Sequence, residues 1–526
     1  MKPAVKNKSA RLLAAPKPAG EGGPLFNWLK ARGAGILLHP TCLPGDQGCG
    51  VLDRHAVRFL DFVQAAGLKY WQVCPLGPTG YGDSPYQCFS AFAGNTYLID
   101  LAALIPFGLL QPADLASLAA LSADRTDYGA LYQLKPQLLE SAYARFKARR
   151  PALPYGDFAA FCQQNAAWLD AYAYFRALKD HFKGAAWWEW PLEARDFARA
   201  KKSPLHTKLS DAIAAYQFGQ YLFFGQWKLV RAAAHARGIE IIGDLPIFVA
   251  GDSADAWAHP GLFELDPKTF LPVAVAGVPP DYFSADGQLW GNPLYRWPAH
   301  QADGYAWWLD RMRATFEICD IVRIDHFRGF DAYWRIPYPA KNARVGEWVP
   351  GPGLDLFRAF HAADPAARII AEDLGVLTDS VVQLRADSGL PGMLVLQFAW
   401  GSDAKNGYLP HNATPNSVIY AGTHDNDTTV GWYQAAPEPE RNYVRRYLRV
   451  DGTDVAWDFV RASYASASRL AIVTLPDLFA LGSAARFNTP AKAEGNWQWR
   501  YRAPALEKFF GATTNYLREL SALYGR

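Results

Sequence analysis

Three carboxylates stand where apolar, β-branched runs end, and they carry the strongest chemical signal in this chain. Asp325 ends the run 320–325, Glu372 ends the run 368–372, and Asp425 follows the run 417–421. A parallel α/β barrel builds its active site at the ends of its strands. One acid after one apolar run is common, but three in succession predict that the acids meet in one pocket.

The neighbours of these acids suggest different protonation states. Arg323 and Asp325 are two residues apart, so on a strand they share a face, and the guanidinium should keep Asp325 ionised. A structural ion pair at a strand terminus is the alternative interpretation of this pair. Retaining glycoside chemistry needs one ionised nucleophile and one protonated acid, which assigns Asp325 as nucleophile and Glu372 as acid/base. Asp425 is then left to bind sugar hydroxyls and stabilise the positive charge of the transition state.

Two histidines flank the acids. His326 and His424 are placed to donate hydrogen bonds to a sugar, although an isolated histidine is usually a core or surface residue. An Asp- and His-rich barrel rim also suits metal-dependent hydrolysis. The chain has no pair of histidines at ligand spacing, and Arg323 and Arg328 would oppose a cation. We therefore expect no metal and no cofactor.

The elements that must position these residues are those of an α/β protein. Helical patterns alternate with eight apolar strand-like runs, which predicts a (β/α)8 TIM barrel with large, mainly helical insertions and no separate C-terminal β-sandwich domain. The eight runs are 35–39, 69–74, 239–243, 320–325, 368–372, 393–398, 417–421 and 470–475.

Long gaps between these runs predict two insertions. The gap after the second run should hold a helical subdomain, roughly residues 101–235, with helices at 138–149, 158–182 and 211–237. The region of roughly 250–315 is rich in Gly, Pro, Asp and Trp, and we interpret it as a lid over the acids rather than an ordinary surface loop. The catalytic domain is predicted to span residues 25–526, after a flexible tail at residues 1–24.

Composition excludes several classes of protein. Of the 526 residues, 50% are hydrophobic and 20% charged, so a sizeable core is expected rather than disorder, and the net charge of +3 gives no support for nucleic-acid binding. The apolar stretch 101–121 contains Pro106, Pro112 and Asp114, which argues against a membrane span. Six cysteines without metal spacing, and no signal-peptide pattern, favour a cytoplasmic protein. The basic tail leaves a transit peptide, and hence an organellar stroma, as the alternative.

Six motifs make the chain resemble the 4-alpha-glucanotransferases of glycoside hydrolase family 77, also called amylomaltases or disproportionating enzymes, in the alpha-amylase clan. The resemblance runs from about Ala34 to the C-terminus. The motifs lie at residues 77–87, 243–249, 289–293, 323–329, 371–375 and 423–426.

The resemblance implies the same roles for Asp325, Glu372 and Asp425, and it adds substrate-binding positions. Besides Arg323, His326 and His424, these are the cleft aromatics Tyr86 and Trp290 (Trp290 on the lid), the supporting acid Asp244, the motif residue Asn292, Asn488 of a late loop, and Tyr81 of a second glucan site. The chain departs from the family pattern after Asn488, because Ala491 and Lys492 stand where a glycine is usual.

The implied function is transfer of an α-1,4-glucan segment to the 4-hydroxyl of a glucan or glucose acceptor, through a covalent glucosyl–Asp325 intermediate. The donors are maltooligosaccharide or starch chains. A retaining α-glucan hydrolase is the alternative, since both reactions share the intermediate. A non-catalytic glucan-binding protein would be favoured if one of the acids were missing, and all three are present. The oligomeric state is left open.

Overall fold

The computed structural model of the chain describes residues 23–280, 284–375, 377–492 and 494–526. It does not describe the side chain of Tyr81. The tail predicted at residues 1–24 lies almost entirely outside the described residues.

A barrel of eight parallel strands forms the centre of the molecule. The strands are Gly33–Leu37, Tyr70–Gln72, Glu240–Pro246, Ile321–Asp325, Ile369–Ala371, Gly392–Val395, Ser417–Tyr420 and Leu470–Thr474. They follow one another around the sheet in chain order, and the last strand pairs with the first. Between the fifth and sixth strands, the amide of Ala371 donates to the carbonyl of Pro391 at 2.9 Å. All eight predicted runs are confirmed as strands, and so is the barrel fold.

The barrel strands are buried on both faces. Every residue of Gly33–Leu37, Ser417–Tyr420 and Leu470–Thr474 is buried. Helices and insertions cover the outside while side chains fill the inside, so these strands read as continuous apolar runs rather than alternating ones. That continuity explains why they could be recognised from the sequence.

Helices surround the barrel and connect its strands. Arg54–Ala65 is typical: Asp53 caps its first turn by accepting a hydrogen bond from the amide of His55 at 2.7 Å. The other outer helices are Trp297–Ala302, Ala306–Ile318, Leu354–Ala363, Asp379–Ser388, Thr429–Ala435, Glu438–Leu448, Val455–Ala465, Leu475–Leu478, Ala503–Glu507 and Ala512–Tyr524.

The segment between the second and third strands is mainly helical. Its α-helices are Ala116–Ala119, Tyr128–Arg149, Phe158–Gln164, Ala166–His181, Phe197–Ala200, Pro204–Lys208 and Ser210–His235. Phe223 and Trp227 of the longest helix are fully buried, and the indole of Trp227 donates to the carbonyl of Ile318 at 2.8 Å. This helix therefore packs against the barrel and holds the insertion in place.

The region predicted as a lid contains part of a small antiparallel sheet that the sequence did not lead us to expect. A short helix, Ala254–Ala258, precedes it, and its four strands are Ala274–Val278, Gln288–Pro293, Ala332–Pro337 and Glu347–Pro350. The alternation expected of a strand is present at Gln288–Pro293, where Gln288 and Trp290 are half-buried while Leu289 and Gly291 are exposed. A run this short, bounded by turn residues, is easily taken for a loop.

Within the described ranges, no helix has the length and apolar character needed to cross a membrane. All six cysteines are free thiols.

Candidate active site

The three predicted acids lie at one end of the barrel. Asp325 is the last residue of the fourth strand, Glu372 directly follows the fifth, and Asp425 follows the seventh. The Glu372 carboxylate accepts a hydrogen bond from the amide of His326 at 2.6 Å, which joins the fourth and fifth strand ends. The parallel strands all point their carboxyl ends to this rim, and the structure thus brings the three acids together as expected.

Arg323 lies between two carboxylates at the base of the site. Its Nη1 is 2.7 Å from both oxygens of Asp244 and 3.1 Å from Oδ1 of Asp325. The side chains of Arg323 and Asp244 are only 4% and 1% exposed, whereas that of Asp325 is 29% exposed. The main partner of Arg323 is therefore Asp244. Asp325 is held by one oxygen, and its other oxygen has no hydrogen-bond partner in the described part of the chain.

The pKa of Asp325 is raised although Arg323 lies beside it. Burial raises it to about 6, against the lowering effect of Arg323, and the charges of Asp244 and Asp425 add to the rise. Arg323 does not hold this pKa at its ordinary value, because burial has the largest effect and Asp244 shares the guanidinium charge. Asp325 is nevertheless mostly ionised at neutral pH.

Glu372 has the higher pKa of the two. Burial and the negative charge of Asp325 raise the pKa of Glu372 to about 7, although Arg323 and two backbone amides oppose the rise. These amides belong to Leu374, at 3.0 Å from Oε1, and to His326, at 2.6 Å from Oε2. They fix the orientation of the carboxyl group. A carboxyl that holds its proton near neutral pH is suited to general acid catalysis.

Asp425 is the most acidic member of the set. Burial alone would raise its pKa, but the charge of His424 and hydrogen bonds from His424 and Asn488 hold the pKa of Asp425 well below its ordinary range. Asn488 donates to Oδ1 at 2.5 Å, and Nε2 of His424 is 3.4 Å from Oδ2. The carboxylate is permanently charged and 47% exposed, so it can meet a ligand.

Tyr86 connects the two sides of the site. Its hydroxyl donates to Oδ2 of Asp244 at 2.8 Å and lies 3.4 Å from Nδ1 of His424, and its ring stacks on the His424 ring with centroids 5.0 Å apart. Burial lowers the pKa of His424, but Asp425 raises it more, and the net direction is upward. Side-chain contacts therefore connect Asp325 with Asp425 without a break. They run through Arg323, Asp244, Tyr86 and His424.

His326 and Trp290 form a wall beside Glu372, whose carboxylate accepts a hydrogen bond from the His326 amide. The two rings meet edge to face, with centroids 4.7 Å apart. His326 has a left-handed backbone (φ 53°), and burial lowers its pKa to about 3, so the ring is neutral. Its Nε2 is buried without a hydrogen-bond partner among the described residues. A strained backbone and an unsatisfied nitrogen at a pocket are typical of a residue kept for ligand binding.

Asn292 belongs to the strand Gln288–Pro293 of the small sheet, and its side chain is buried. It is 5% exposed, its Nδ2 donates to the carbonyl of Val249 at 2.8 Å, and its Oδ1 accepts from Gln87 at 3.0 Å. The Gln87 contact ties the 288–293 strand to the loop that carries Tyr86, and the Val249 contact ties it to the segment after the third barrel strand. The remaining predicted residue, Tyr81, begins a short 3-10 turn, and its side chain lies outside the described atoms.

Two residues at the site could not be picked out from the sequence. Arg486 donates from Nη2 to the carbonyl of Asp425 and from Nε to the carbonyl of Asn488, both at 2.6 Å. The ring of Trp497 lies 5.7 Å from that of His424. Neither follows a strand, and an arginine that binds carbonyls has no partner side chain to reveal it in the sequence. Only their closeness to Asn488 along the chain was available as a signal.

The arrangement suits chemistry on a neutral, oxygen-rich ligand. It offers an ionised carboxylate with one free oxygen, a carboxyl that holds a proton, a second charged acid, and aromatic rings on both sides. In the described ranges, no group of three or more His, Cys, Asp or Glu residues is arranged to hold a metal ion.

Comparison with known proteins gives consistent results. The profile of glycoside hydrolase family 77, described as 4-alpha-glucanotransferase, matches residues 38–506. A 4-alpha-glucanotransferase of Thermus thermophilus is 47% identical over 93% of this chain and 98% of its own length. A potato relative named 4-alpha-glucanotransferase, chloroplastic/amyloplastic, is 41% identical over 98% of this chain and 91% of its own length. The solved structure of an amylomaltase from Streptococcus agalactiae in complex with acarbose superposes with a TM-score of 0.88, at 37% identity, over 94% of this chain and 99% of that one.

Proposed function

Because this chain belongs to glycoside hydrolase family 77, the 4-alpha-glucanotransferases, and transfers α-1,4-glucan segments, we propose that Asp325, Glu372 and Asp425 carry out its chemistry. Asp325 is the nucleophile, Glu372 the acid/base and Asp425 the stabiliser of the transition state. The observation that carries this proposal is the meeting of the three acids at one rim of the barrel, where Arg323 contacts Asp325 and two backbone amides fix Glu372. The raised pKa of Glu372 and the lowered pKa of Asp425 agree with these roles.

In the first half-reaction, the free oxygen of Asp325 attacks the anomeric carbon of the donor. The bond from that carbon to the leaving 4-oxygen breaks, and Glu372 gives its proton to this oxygen. Asp425 faces the sugar ring, where its charge stabilises the oxocarbenium-like transition state. The shortened glucan departs with a free 4-hydroxyl, and Glu372 is left ionised.

In the second half-reaction, the 4-hydroxyl of an acceptor glucan or glucose takes the place of the leaving group. Glu372 removes the acceptor's proton as its oxygen bonds to the anomeric carbon, and the ester bond to Asp325 breaks. Both carboxyls return to their starting state. The two inversions together retain the α configuration.

Preference for a sugar acceptor over water is assigned to the wall formed by Trp290 and His326. Trp290 provides an apolar face that a sugar ring can cover and that excludes water from the intermediate. Nε2 of His326 is buried without a hydrogen-bond partner among the described residues, and we assign a sugar hydroxyl to it. This wall adjoins Glu372, whose carboxylate bonds the His326 amide, so it lies on the side where acceptors arrive.

The remaining residues are proposed to support the site. Arg323 and Asp244 hold Asp325 in place and tune its charge, and Asn292 positions the wall. Tyr86 offers its ring to the glucan while its hydroxyl orients Asp244. Asn488 and His424 hold Asp425 and contact hydroxyls of the same sugar. Tyr81 is kept as part of a second glucan site on the strength of its motif alone.

Incubation with maltotriose tests the function. Transfer gives glucose together with a ladder of maltooligosaccharides longer than the substrate. Hydrolysis gives only shorter products. A protein that binds maltotriose and leaves it intact would be a glucan-binding protein, and the assignment of all three acids would then be wrong.

For its setting, we propose a cytoplasmic protein with the catalytic domain at residues 25–526, the subdomain at about 101–235 and the lid at about 250–315. Free cysteines and a small net charge support this choice and give no reason to expect nucleic-acid or membrane partners. Fractionation of the source cells, with the activity followed beside a cytoplasmic marker, tests the compartment. Activity that separates from the marker would contradict it.

A further inference from the structure

A second pocket lies behind the Asp425 loop, and it is strongly basic. It has a volume of about 340 Å³ and opens to solvent. Its charged lining residues are Arg125, Arg486, Lys492 and Asp427. Three cations against one carboxylate leave an excess of two positive charges, in a chain whose whole net charge is only +3. The pocket is of a size that holds a small ligand.

The cations of this pocket are not neutralised by the protein. None of the three lies within 4.0 Å of a carboxylate oxygen in the described part of the chain. Arg125 bonds the neutral side chain of Gln498 at 2.6 Å, and Arg486 bonds two backbone carbonyls. Asp427, the carboxylate of the pocket, accepts from Ser483 at 2.8 Å instead. The positive field is therefore directed at the open pocket rather than at an internal partner.

The pocket also has the features of a sugar site. The ring of Trp499 forms part of its wall, together with Thr489 and Asn496. Aromatic faces and neutral hydrogen-bonding groups are what sugar rings require. A ligand that satisfies both parts of the lining carries an anionic group on a sugar.

The pocket is joined to the catalytic site. Arg486 lines it and donates to the backbone carbonyl of Asp425, and Asp427 is two residues beyond Asp425. The loop that carries Lys492 begins immediately after Asn488, and Asn496 braces it by accepting from the amide of Thr489 at 2.9 Å. A glucan bound at Asp425 can thus extend toward these cations.

Resting on the proposed function, we propose that this pocket binds a phosphate monoester carried by a glucosyl unit, with Arg125 and Lys492 as the ligands of the phosphate. A phosphate monoester presents three acceptor oxygens and nearly two negative charges at neutral pH, which matches the excess charge of the pocket. The glucosyl phosphate is either part of a phosphorylated glucan chain or a free sugar phosphate. Both share the chemistry, and experiment distinguishes them.

Direct binding tests the site. Glucose 6-phosphate, glucose and inorganic phosphate are titrated calorimetrically into the full chain. We expect glucose 6-phosphate to bind at least about tenfold more tightly than either of the others, and at least about tenfold more weakly to the double variant Arg125→Ala/Lys492→Ala, because two charge-assisted contacts are lost. The single variant Lys492→Arg keeps the positive charge and should therefore keep most of the wild-type affinity for glucose 6-phosphate.

The matched control is Lys228→Ala. Lys228 is an exposed lysine of the helix Ser210–His235 and does not line the pocket, so this variant should bind glucose 6-phosphate as the wild type does. Circular dichroism checks that each variant is folded. Affinity for glucose 6-phosphate no higher than for glucose, or unchanged in the double variant, overturns the proposal. Equal affinity for inorganic phosphate overturns the sugar part of it.

Two further arms separate the ligand sources and the two proposals. In a mixture of phosphorylated and unphosphorylated maltodextrins, a chain-borne ligand predicts enrichment of phosphorylated transfer products, lost in the double variant. If the ligand is instead a free sugar phosphate, added glucose 6-phosphate should inhibit transfer of the phosphorylated and of the unphosphorylated maltodextrins alike. If the wild-type protein makes the maltotriose ladder but does not bind glucose 6-phosphate, the phosphate site is contradicted and the proposed function is not. If it binds glucose 6-phosphate but makes no ladder from maltotriose, the proposed function is contradicted and the phosphate site is not.

Discussion

Replacing Glu372 by glutamine should slow glucan transfer by orders of magnitude and should shift the free energy of unfolding in favour of the variant as the pH rises. Glutamine has nearly the same shape as the protonated acid but has no proton to give to the leaving oxygen. Loss of a general acid typically costs two to four orders of magnitude in rate, roughly 10²–10⁴-fold. The stability effect follows from the same raised pKa and can be worked out from it.

The pKa of Glu372 rises from an ordinary value of 4.5 to about 7 on folding. The folded chain thus holds this proton more tightly than the unfolded chain does. The stability it contributes is fully present below about pH 4.5 and is lost as the pH rises through about 7. Between pH 5 and pH 8 this loss amounts to at most about 2.5 kcal/mol, and partial solvent access and the interaction with Asp325 reduce it.

The glutamine side chain stays neutral at every pH, so the Glu372→Gln variant escapes this loss. It has a different cost, since its amide nitrogen cannot accept one of the two hydrogen bonds from Leu374 and His326, which is worth about 1–3 kcal/mol. That cost does not change with pH. The free energy of unfolding of the variant minus that of the wild type is therefore taken at pH 8 and at pH 5. The change in this difference between the two pH values reports the ionisation of Glu372 alone.

Urea unfolding of both proteins at pH 5 and pH 8 measures this double difference. We expect the variant to gain about 1–2.5 kcal/mol relative to wild type across the interval. Glu519→Gln, which replaces an exposed carboxylate of the C-terminal helix, is the matched control and should show no such gain. A double difference near zero for Glu372→Gln would show that folding does not raise the pKa of Glu372. The argument for Glu372 as the acid would then fail.

The other predictions concern the rest of the site. Transfer requires Asp325 ionised and Glu372 protonated, so kcat/KM should form a narrow bell, falling below about pH 6 and above about pH 7; a flat profile between pH 5 and pH 8 would count against the pair. Trp290→Ala should raise hydrolysis relative to transfer several-fold with maltotriose, and an unchanged product ratio would remove the wall from the account. Ala491→Gly should stabilise the fold by about 1 kcal/mol, because Ala491 has a left-handed backbone (φ 65°) that glycine adopts without strain. Ala232→Gly, at an exposed helical position, should instead destabilise it by about 1 kcal/mol in the same urea assay.

Much of the barrel was predictable because its strands are buried on both faces. Runs such as Leu470–Thr474 are apolar throughout, and a strand of this kind leaves a continuous signal. The small sheet could not be found in the same way. Its strand Gln288–Pro293 is short, half-exposed and interrupted by glycine and proline, so its composition is that of a loop.

The acids could be placed because each follows a strand, but their partners could not. Arg323 is two residues from Asp325, yet its closest partner is Asp244, 79 residues away, and that pairing changes the electrostatics of the proposed nucleophile. Tyr86 and Asp244 are 158 residues apart. Contacts between distant loops are set by the packing of the whole barrel, and no local pattern in the sequence records them.

The departure from the family pattern after Asn488 proved informative. Ala491 has a left-handed backbone, which glycine adopts without strain and alanine does not, so the loop carries some strain. Lys492, next to it, places its charge at the second pocket. A substitution that seemed only to disturb a loop thus coincides with the charge on which the phosphate proposal depends.

Trapping the covalent intermediate tests the central claim most directly. With Glu372→Gln and an α-maltosyl fluoride donor, fluoride leaves without help from an acid, and the ester then persists because no base activates an acceptor. Trypsin cuts after Arg323 and Arg328 and releases residues 324–328, in which Asp325 is the sole side-chain carboxylate. Mass spectrometry should find this peptide heavier by one maltosyl unit. A maltosyl adduct on any other peptide would contradict the assignment of Asp325 as the nucleophile.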